Sequence, residues 1–275
     1  MKGRKMITFN ALNLNKYTLN ELTDIKATFY RQGFVLIDTS SINGKDKISP
    51  VATALNLGNA ATTYYNKTYF DYKLTTDNLA VIGDLPNRKG KINHEGFESN
   101  NAQGLHVDGT IEPLGSIQTS LLYCKQPAKI GGESIVFNLM GAINDLAKND
   151  LSLIQPLFDP NALKRASTYE GINESHTGPI LGYHPETKRL IARFAINITC
   201  QWQEGFNKVP GLERTINRLI AMAEEGSPYT AKFQLQSETL LVMDNSRICH
   251  GRAAYTDCPT KPRTMIRGIY SQLPN

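Results

Sequence analysis

The chain has 275 residues, a formal net charge of +5 and 40% hydrophobic content, values ordinary for a globular protein. That length supplies enough apolar surface for a sizeable core, and the composition excludes a disordered or fibrous chain. Lys and Arg are scattered without interleaved aromatics, so no nucleic-acid partner is expected. No membrane partner is expected either, because no apolar run approaches the roughly 20 residues of a spanning helix.

The first ten residues carry Lys2, Arg4 and Lys5 but no apolar segment long enough for a secretory signal. Cys124, Cys200, Cys249 and Cys258 lie far apart and form no Cys-x-x-Cys pair, so reduced thiols in a cytoplasmic protein are expected. Only Cys249 and Cys258 are close enough to suggest a bridge, and then in an oxidising compartment. From Tyr17 to Arg31, residues Leu19, Leu22, Ile25 and Phe29 share one helical face. Gly33 ends that helix, and Phe34-Val-Leu-Ile37 reads as a buried strand. A second helix is expected from Pro50 to about Asn66, with the proline in its first turn. The stretch from about Asp84 to Gly104, rich in Gly, Asn and charge, reads as loop.

Short apolar strands then recur at Ser116–Cys124, Ser134–Asn138, Leu190–Thr199, Ala231–Gln236, Thr239–Met243 and Thr264–Ser271. Helical patterns at Gly141–Asn149 and Leu212–Glu224 interrupt them. Many short strands joined by Gly/Pro turns argue for a β-sandwich or jelly roll carrying helical insertions. Residues 159–179 are polar and aperiodic, which fits a lid over a site and an ordinary surface loop equally well.

Three features carry chemistry. In Gly104-Leu-His-Val-Asp-Gly-Thr110, His106 and Asp108 are two apart, so in extended chain an imidazole and a carboxylate share one face. Further on, Asp244-Asn-Ser-Arg-Ile-Cys-His250 places a histidine after an apolar strand and a polar turn. Two histidines and one carboxylate are the facial set of non-haem Fe(II) oxygenases, which leaves open positions for a bidentate 2-oxo acid and for O2. Zinc would more often take three His, or two His and Glu. Third, Arg263 and Arg267 lie four apart on a strand-like run. An interior arginine there suits a dicarboxylate, whereas arginines on an outer face would simply pair with acidic side chains. A locally basic pocket for acidic cosubstrates accounts for part of the charge excess.

In order and spacing, four segments resemble the taurine dioxygenase-like (TauD/TfdA) family of Fe(II)/2-oxoglutarate-dependent oxygenases. They are His106-Val-Asp108, Pro127-Ala-Lys-Ile-Gly-Gly-Glu-Ser134, Tyr183-His-Pro-Glu-Thr-Lys-Arg-Leu190 and the stretch from Asp244 to Arg267. The resemblance implies a mainly β fold with helical insertions, a double-stranded β-helix (jelly roll). One oxygenase domain is expected over 1–275, helix-rich to about residue 80 and jelly-roll from about 81. By the same resemblance His106, Asp108 and His250 would bind Fe(II), and Arg263 would take the distal carboxylate of 2-oxoglutarate. Ser134 stands where the family usually has the Thr of Gly-Gly-Asp-Thr and keeps the hydroxyl; Glu133 replaces the Asp. Arg267 falls where some members grip an anionic group of the substrate. Asn93 and His94 in the preceding loop, and Asn101 and Gln103 just before His106, are the further substrate-binding candidates. Arg252 has no assigned role, and His184 reads as part of a structural turn. Halogenating relatives lack the carboxylate ligand, so Asp108 favours hydroxylation, desaturation or ring formation.

The expected activity is therefore hydroxylation of an unactivated C–H bond on a small metabolite, first a free amino acid or amino-acid-derived intermediate. A sulfonate or other small acid is the alternative substrate. A non-catalytic jelly roll that senses metal or 2-oxoglutarate, or a cupin-like metal isomerase or hydrolase, is the alternative function. Oligomeric state is not encoded in any feature named above.

Overall fold

The structure is a computed structural model that describes residues 12–63, 77–83, 99–168 and 172–275. β1 (Lys16–Tyr17) leads through the single turn Leu19–Glu21 into the helix Leu22–Gln32. Thr18 and Glu21 form a capping box at that entry, satisfying amide groups the first turn leaves unpaired. Ile25, Thr28, Phe29 and Gln32 form the buried face, as the three- and four-residue spacing predicts. Gly33, at φ 87°, ends the helix in the left-handed region and donates its N–H to Phe29 O at 2.8 Å.

β2 (Phe34–Asp38) follows as expected. The next helix spans Ser49–Ala54 and stops well short of Asn66. Asn56 at φ 54° and Gly58 at φ 73° turn the chain there, and Leu57 N–H closes onto Ala52 O at 2.9 Å. After β3 (Ala80–Ile82) and β4 (Gln103–His106) come β5 (Thr119–Gln126), β6 (Ile130–Gly131) and β7 (Ser134–Phe137). The helix Leu139–Asn149 begins at Asn138, whose side chain accepts from Gly141 N–H. β8 (Leu163–Ala166) and β9 (Ser175–Gly178) pair antiparallel within the span expected to be irregular. Then follow β10 (Leu181–Tyr183), β11 (Leu190–Ala192) and the helices Trp202–Lys208 and Leu212–Met222. β11 ends at Ala192 rather than Thr199, because the following residues make only single bridges, among them His106 to Ala195. The chain closes with β12 (Thr230–Phe233), β13 (Thr239–Asp244), β14 (Cys249–Arg252), β15 (Tyr255–Thr256) and β16 (Thr264–Tyr270).

Two sheets carry the architecture. One has six strands in the order β1-β2-β13-β5-β16-β3; the other has four, β12-β7-β14-β4. Phe34, Leu36, Leu241, Met243 and Met265 of the larger sheet meet Val136 of the smaller one in a shared apolar cluster. Leu240 and Val242 of β13 point the other way, against Ile25 and Phe29 of the first helix. β13 is thus covered on both faces, which explains its unbroken apolar run; each such buried side chain contributes about 1.5–3 kcal/mol. Behind the smaller sheet, Phe137 and Cys249 pack on Leu139 and Ile143 of the helix Leu139–Asn149 and on Ile216 and Leu219 of the helix Leu212–Met222. This is a mainly β, jelly-roll arrangement with helical insertions, and its sheets do not close into a barrel. All four cysteines are free, so Cys249 and Cys258 form no bridge. Among the described residues no helix is long and apolar enough to cross a membrane.

Candidate metal site and cosubstrate pocket

His106 ends β4, and its Cα partner on the adjacent antiparallel strand β14 is His250. Alternation along β14 turns His250 inward and Cys249 outward into the core behind, where burial raises the thiol pKa and keeps it inert. The two imidazole centroids are 4.5 Å apart. Asp108, two residues past His106, brings Oδ2 to 3.9 Å from His250 Nε2. One ligand atom from each of the three residues lies within 4.8 Å of the others, so this group has the spacing to hold one metal ion.

Hydrogen bonds fix these atoms. His106 Nδ1 lies 2.9 Å from Gly104 O, an interaction that places the proton on Nδ1 and leaves Nε2 for a metal. Asp108 Oδ2 accepts from the Ser120 hydroxyl at 2.7 Å, and Oδ1 accepts from Arg267 Nη1 at 2.5 Å. The backbone of Asp108 is clamped as well: its N–H donates to Asn245 Oδ1 at 2.7 Å, and its C=O accepts from Asn245 Nδ2 at 3.2 Å. Asn245 opens the turn that leads to His250, so one side chain ties together both segments of the site.

Burial, reinforced by the neighbouring His250, pushes the His106 pKa down to about 3. Burial also lowers His250. Desolvation alone would raise Asp108, but Arg267, His250 and His106 outweigh it and hold its carboxyl below the usual range. Neutral imidazoles beside an ionised carboxylate are the protonation states that metal binding requires.

A cationic cluster adjoins the triad. Arg252, two residues past His250 on β14, is the Cα partner of Ser134 on β7. Its guanidinium carbon sits 4.7 Å from the Tyr255 ring centroid, and that of Arg263 sits 5.3 Å from the same ring. Arg252, Arg263 and Ser134 are all buried, and Arg263 Nη1 has no hydrogen-bond partner among the described residues. A buried guanidinium edge beside a hydroxyl suits the planar carboxylate of a 2-oxo diacid. The residues present therefore fit both Fe(II) and 2-oxoglutarate.

Other sequence-expected residues distribute differently. Gln103 Nε2 is 3.5 Å from His106 Nε2, at the edge of the triad. Asn101 is exposed, and its backbone carbonyl accepts from Arg252. Asn93 and His94 lie outside the described residues. Arg267 is placed against Asp108. His184 Nδ1 accepts from the amides of Glu186 and Thr187, which gives it the turn-forming role its segment suggests. Sequence reasoning missed Ser120, Asn245, Arg165 and Arg193. Asn245 had a signal, its place in the polar turn before His250; the others had none.

Residues 5–270 match the family described as Taurine catabolism dioxygenase TauD, TfdA. A uridine-5'-phosphate dioxygenase of Amycolatopsis sp is 32% identical over 243 residues, covering 88% of this chain and 86% of that protein. A uridine-5'-phosphate dioxygenase of Streptomyces sp is 28% identical over 68% of each chain. Among solved structures, AAD-2 in complex with Mn(II) and N-oxalylglycine shares the fold at a TM-score of 0.63, with 16% identity, covering 97% of this chain and 94% of that one. The match across nearly the whole chain makes this protein a member of the TauD/TfdA family, an Fe(II)- and 2-oxoglutarate-dependent dioxygenase.

Proposed function

We propose that His106, Asp108 and His250 hold the Fe(II), that Arg263 and Ser134 take the distal carboxylate of 2-oxoglutarate, and that the substrate is a nucleoside 5'-monophosphate, uridine 5'-phosphate first. The substrate reading is carried by one observation, the 32% identity to a uridine-5'-phosphate dioxygenase across 88% of this chain. The arginine-rich interior supports it, because a phosphate ester is an anion that guanidinium groups bind well. A free amino acid, expected from Arg267 in the sequence, is the competing substrate class. The whole chain acts as one oxygenase domain in this reading.

When bound, Fe(II) with 2-oxoglutarate and O2 supplies the oxidising power for C–H hydroxylation, with succinate and CO2 released. The chain contributes orientation and exclusion of water. His106 Nδ1 and Gly104 O hold the imidazole in one tautomer; Ser120 and Arg267 fix the two carboxylate oxygens of Asp108; the apolar cluster between the sheets walls the site.

The test is anaerobic absorbance of the protein with Fe(II) and 2-oxoglutarate, followed by uridine 5'-phosphate, other nucleoside monophosphates and a panel of amino acids. A weak visible charge-transfer band that shifts with uridine 5'-phosphate, and succinate formation that the nucleotide stimulates on admitting O2, are expected. A response to an amino acid and to no nucleotide would overturn the substrate reading while leaving the ligand set intact. Full metal binding in H106A, D108A or H250A would overturn the ligand set.

A further inference from the structure

The loop that carries Asp108 leaves β4 at His106; Val107 N–H still reaches Phe194 O, but the carbonyls of residues 107–110 are met by side chains. Those side chains come from three distant segments. Arg165 of β8 donates from Nη1 to both Val107 O and Gly109 O, each at 3.2 Å, the carbonyls on either side of Asp108. Its Nε donates to Thr199 Oγ1 at 3.1 Å. Arg193 donates to Thr110 O at 2.9 Å, and Asn245 holds Asp108 itself.

Arg165 is 1% exposed and ranks among the largest fully buried side chains of the protein. Among the described residues no carboxylate hydrogen-bonds it. Burying a charge whose partners are two carbonyls and a hydroxyl, all neutral, is costly, and a neutral residue could fill the same space without that cost. Burial works against its charge, and Asp108 and Glu112 offset only part of that through space. A single planar fork that grips the carbonyls before and after one residue removes most of that residue's freedom to rotate.

We infer that Arg165 is a positioning residue for the metal site: it fixes the backbone on both sides of Asp108 so that the carboxylate meets the ion already oriented. The inference rests on the proposed reading of Asp108 as a metal ligand. It also places β8, within the span that reads as lid or loop, beside the loop that carries Asp108. Two effects oppose each other. A buried cation near the triad repels a divalent ion, whereas a fixed carboxylate binds it better. If positioning dominates, removing Arg165 weakens metal binding; if repulsion dominates, removal tightens it.

The experiment is Mn(II) titration of the metal-free protein, read by the EPR signal of free Mn(II), with Co(II) absorption as a second readout. Parent, R165M, R165K, T199V and D108A are compared, and each is checked for native circular dichroism. The expected result is a Kd raised about 10- to 100-fold in R165M, with partial recovery in R165K and an altered Co(II) spectrum. T199V, which removes the Nε acceptor together with the Thr199 hydroxyl's bond to Asn197, should shift the same way by a smaller factor, and it carries the test if R165M does not fold. A Kd in R165M, or in T199V should R165M not fold, that equals or falls below the parent value overturns the inference. D108A binding Mn(II) like the parent overturns the ligand reading instead, so the two failures are distinguishable.

Discussion

Replacing Arg189 with alanine probes the ion pair beneath the turn that leads from β13 to His250. Arg189 Nη1 donates to Asp244 Oδ2 at 2.7 Å and Nη2 to Oδ1 at 3.4 Å. Asp244 is fully buried, while the Arg189 side chain is 25% exposed. Losing one partner of a buried pair costs about 3–5 kcal/mol when both charges are shut away from water. Here Arg189 reaches solvent, Arg247 stays 3.9 Å from Oδ2, and Ser246 still donates its N–H and hydroxyl to Oδ1. We therefore expect R189A to lose about 2–3 kcal/mol, intermediate between exposed and buried pairs. Urea unfolding at neutral pH should show a lower midpoint with an unchanged m-value. The thermal midpoint should fall by about 4–12 °C at the roughly 2–4 °C per kcal/mol of a chain this long. In a D244N background the same substitution should cost under about 1 kcal/mol, since the carboxylate is gone. A loss below about 0.5 kcal/mol for R189A alone would refute the reasoning, because the pair would then be no stronger than a solvated surface contact.

R263A should raise the 2-oxoglutarate concentration for half-maximal succinate formation about 10- to 100-fold, the value of one charge-assisted hydrogen bond; an unchanged requirement would move that role to Arg252. G104A should destabilise the fold by about 1–3 kcal/mol in thermal melts, since a Cβ there would sit 2.2 Å from the Ile196 carbonyl oxygen and displace β4 beside His106. Parent-like stability would mean that the strand yields without cost. Glu238 is held below its ordinary carboxyl value of 4.5 chiefly by the Tyr123 hydroxyl and also by Lys47. A lowered folded value stabilises fully above the ordinary value and is lost as pH falls through the lowered one. E238Q should therefore lower the urea midpoint near pH 7 and converge on the parent in acid below both values; a gap that persists there would assign the effect to packing.

What the sequence disclosed depended on how far each signal reaches. β13 was legible because six consecutive residues are buried on both faces, and Gly33 because the helix before it needs a left-handed stop. His106 and Asp108 were legible through a spacing of two, and the turn after Asp244 pointed to His250. The helix expected to run from Pro50 to about Asn66 ended early because Asn56 adopts a left-handed conformation that its neighbours in sequence do not announce. The partners of Arg165 lie 56 and 58 residues away, on a loop that only the fold brings beside β8. Within the segment that reads as lid or loop, β8 and β9 pair antiparallel, a contact that its polar, aperiodic composition does not announce.

The charge excess shows the same limit. A value of +5 with scattered Lys and Arg argued only against a basic surface stripe. In the fold, Arg165, Arg193, Arg252, Arg263 and Arg267 are buried, against Asp108 and Asp244 as the buried carboxylates among the described residues. Five positive groups less two negative ones leave an interior surplus of three. A protein bears such a surplus at a cost in desolvation unless something anionic completes it. Asn245, Ser120 and the backbone carbonyls satisfy hydrogen bonds but bring no charge. A dicarboxylate cosubstrate would bring it at Arg263, whose Nη1 has no hydrogen-bond partner among the described residues. On this view Arg263 is half of an ion pair whose other half is the cosubstrate, whereas Arg165 and Arg193 serve the Asp108 loop and Arg267 serves Asp108 itself.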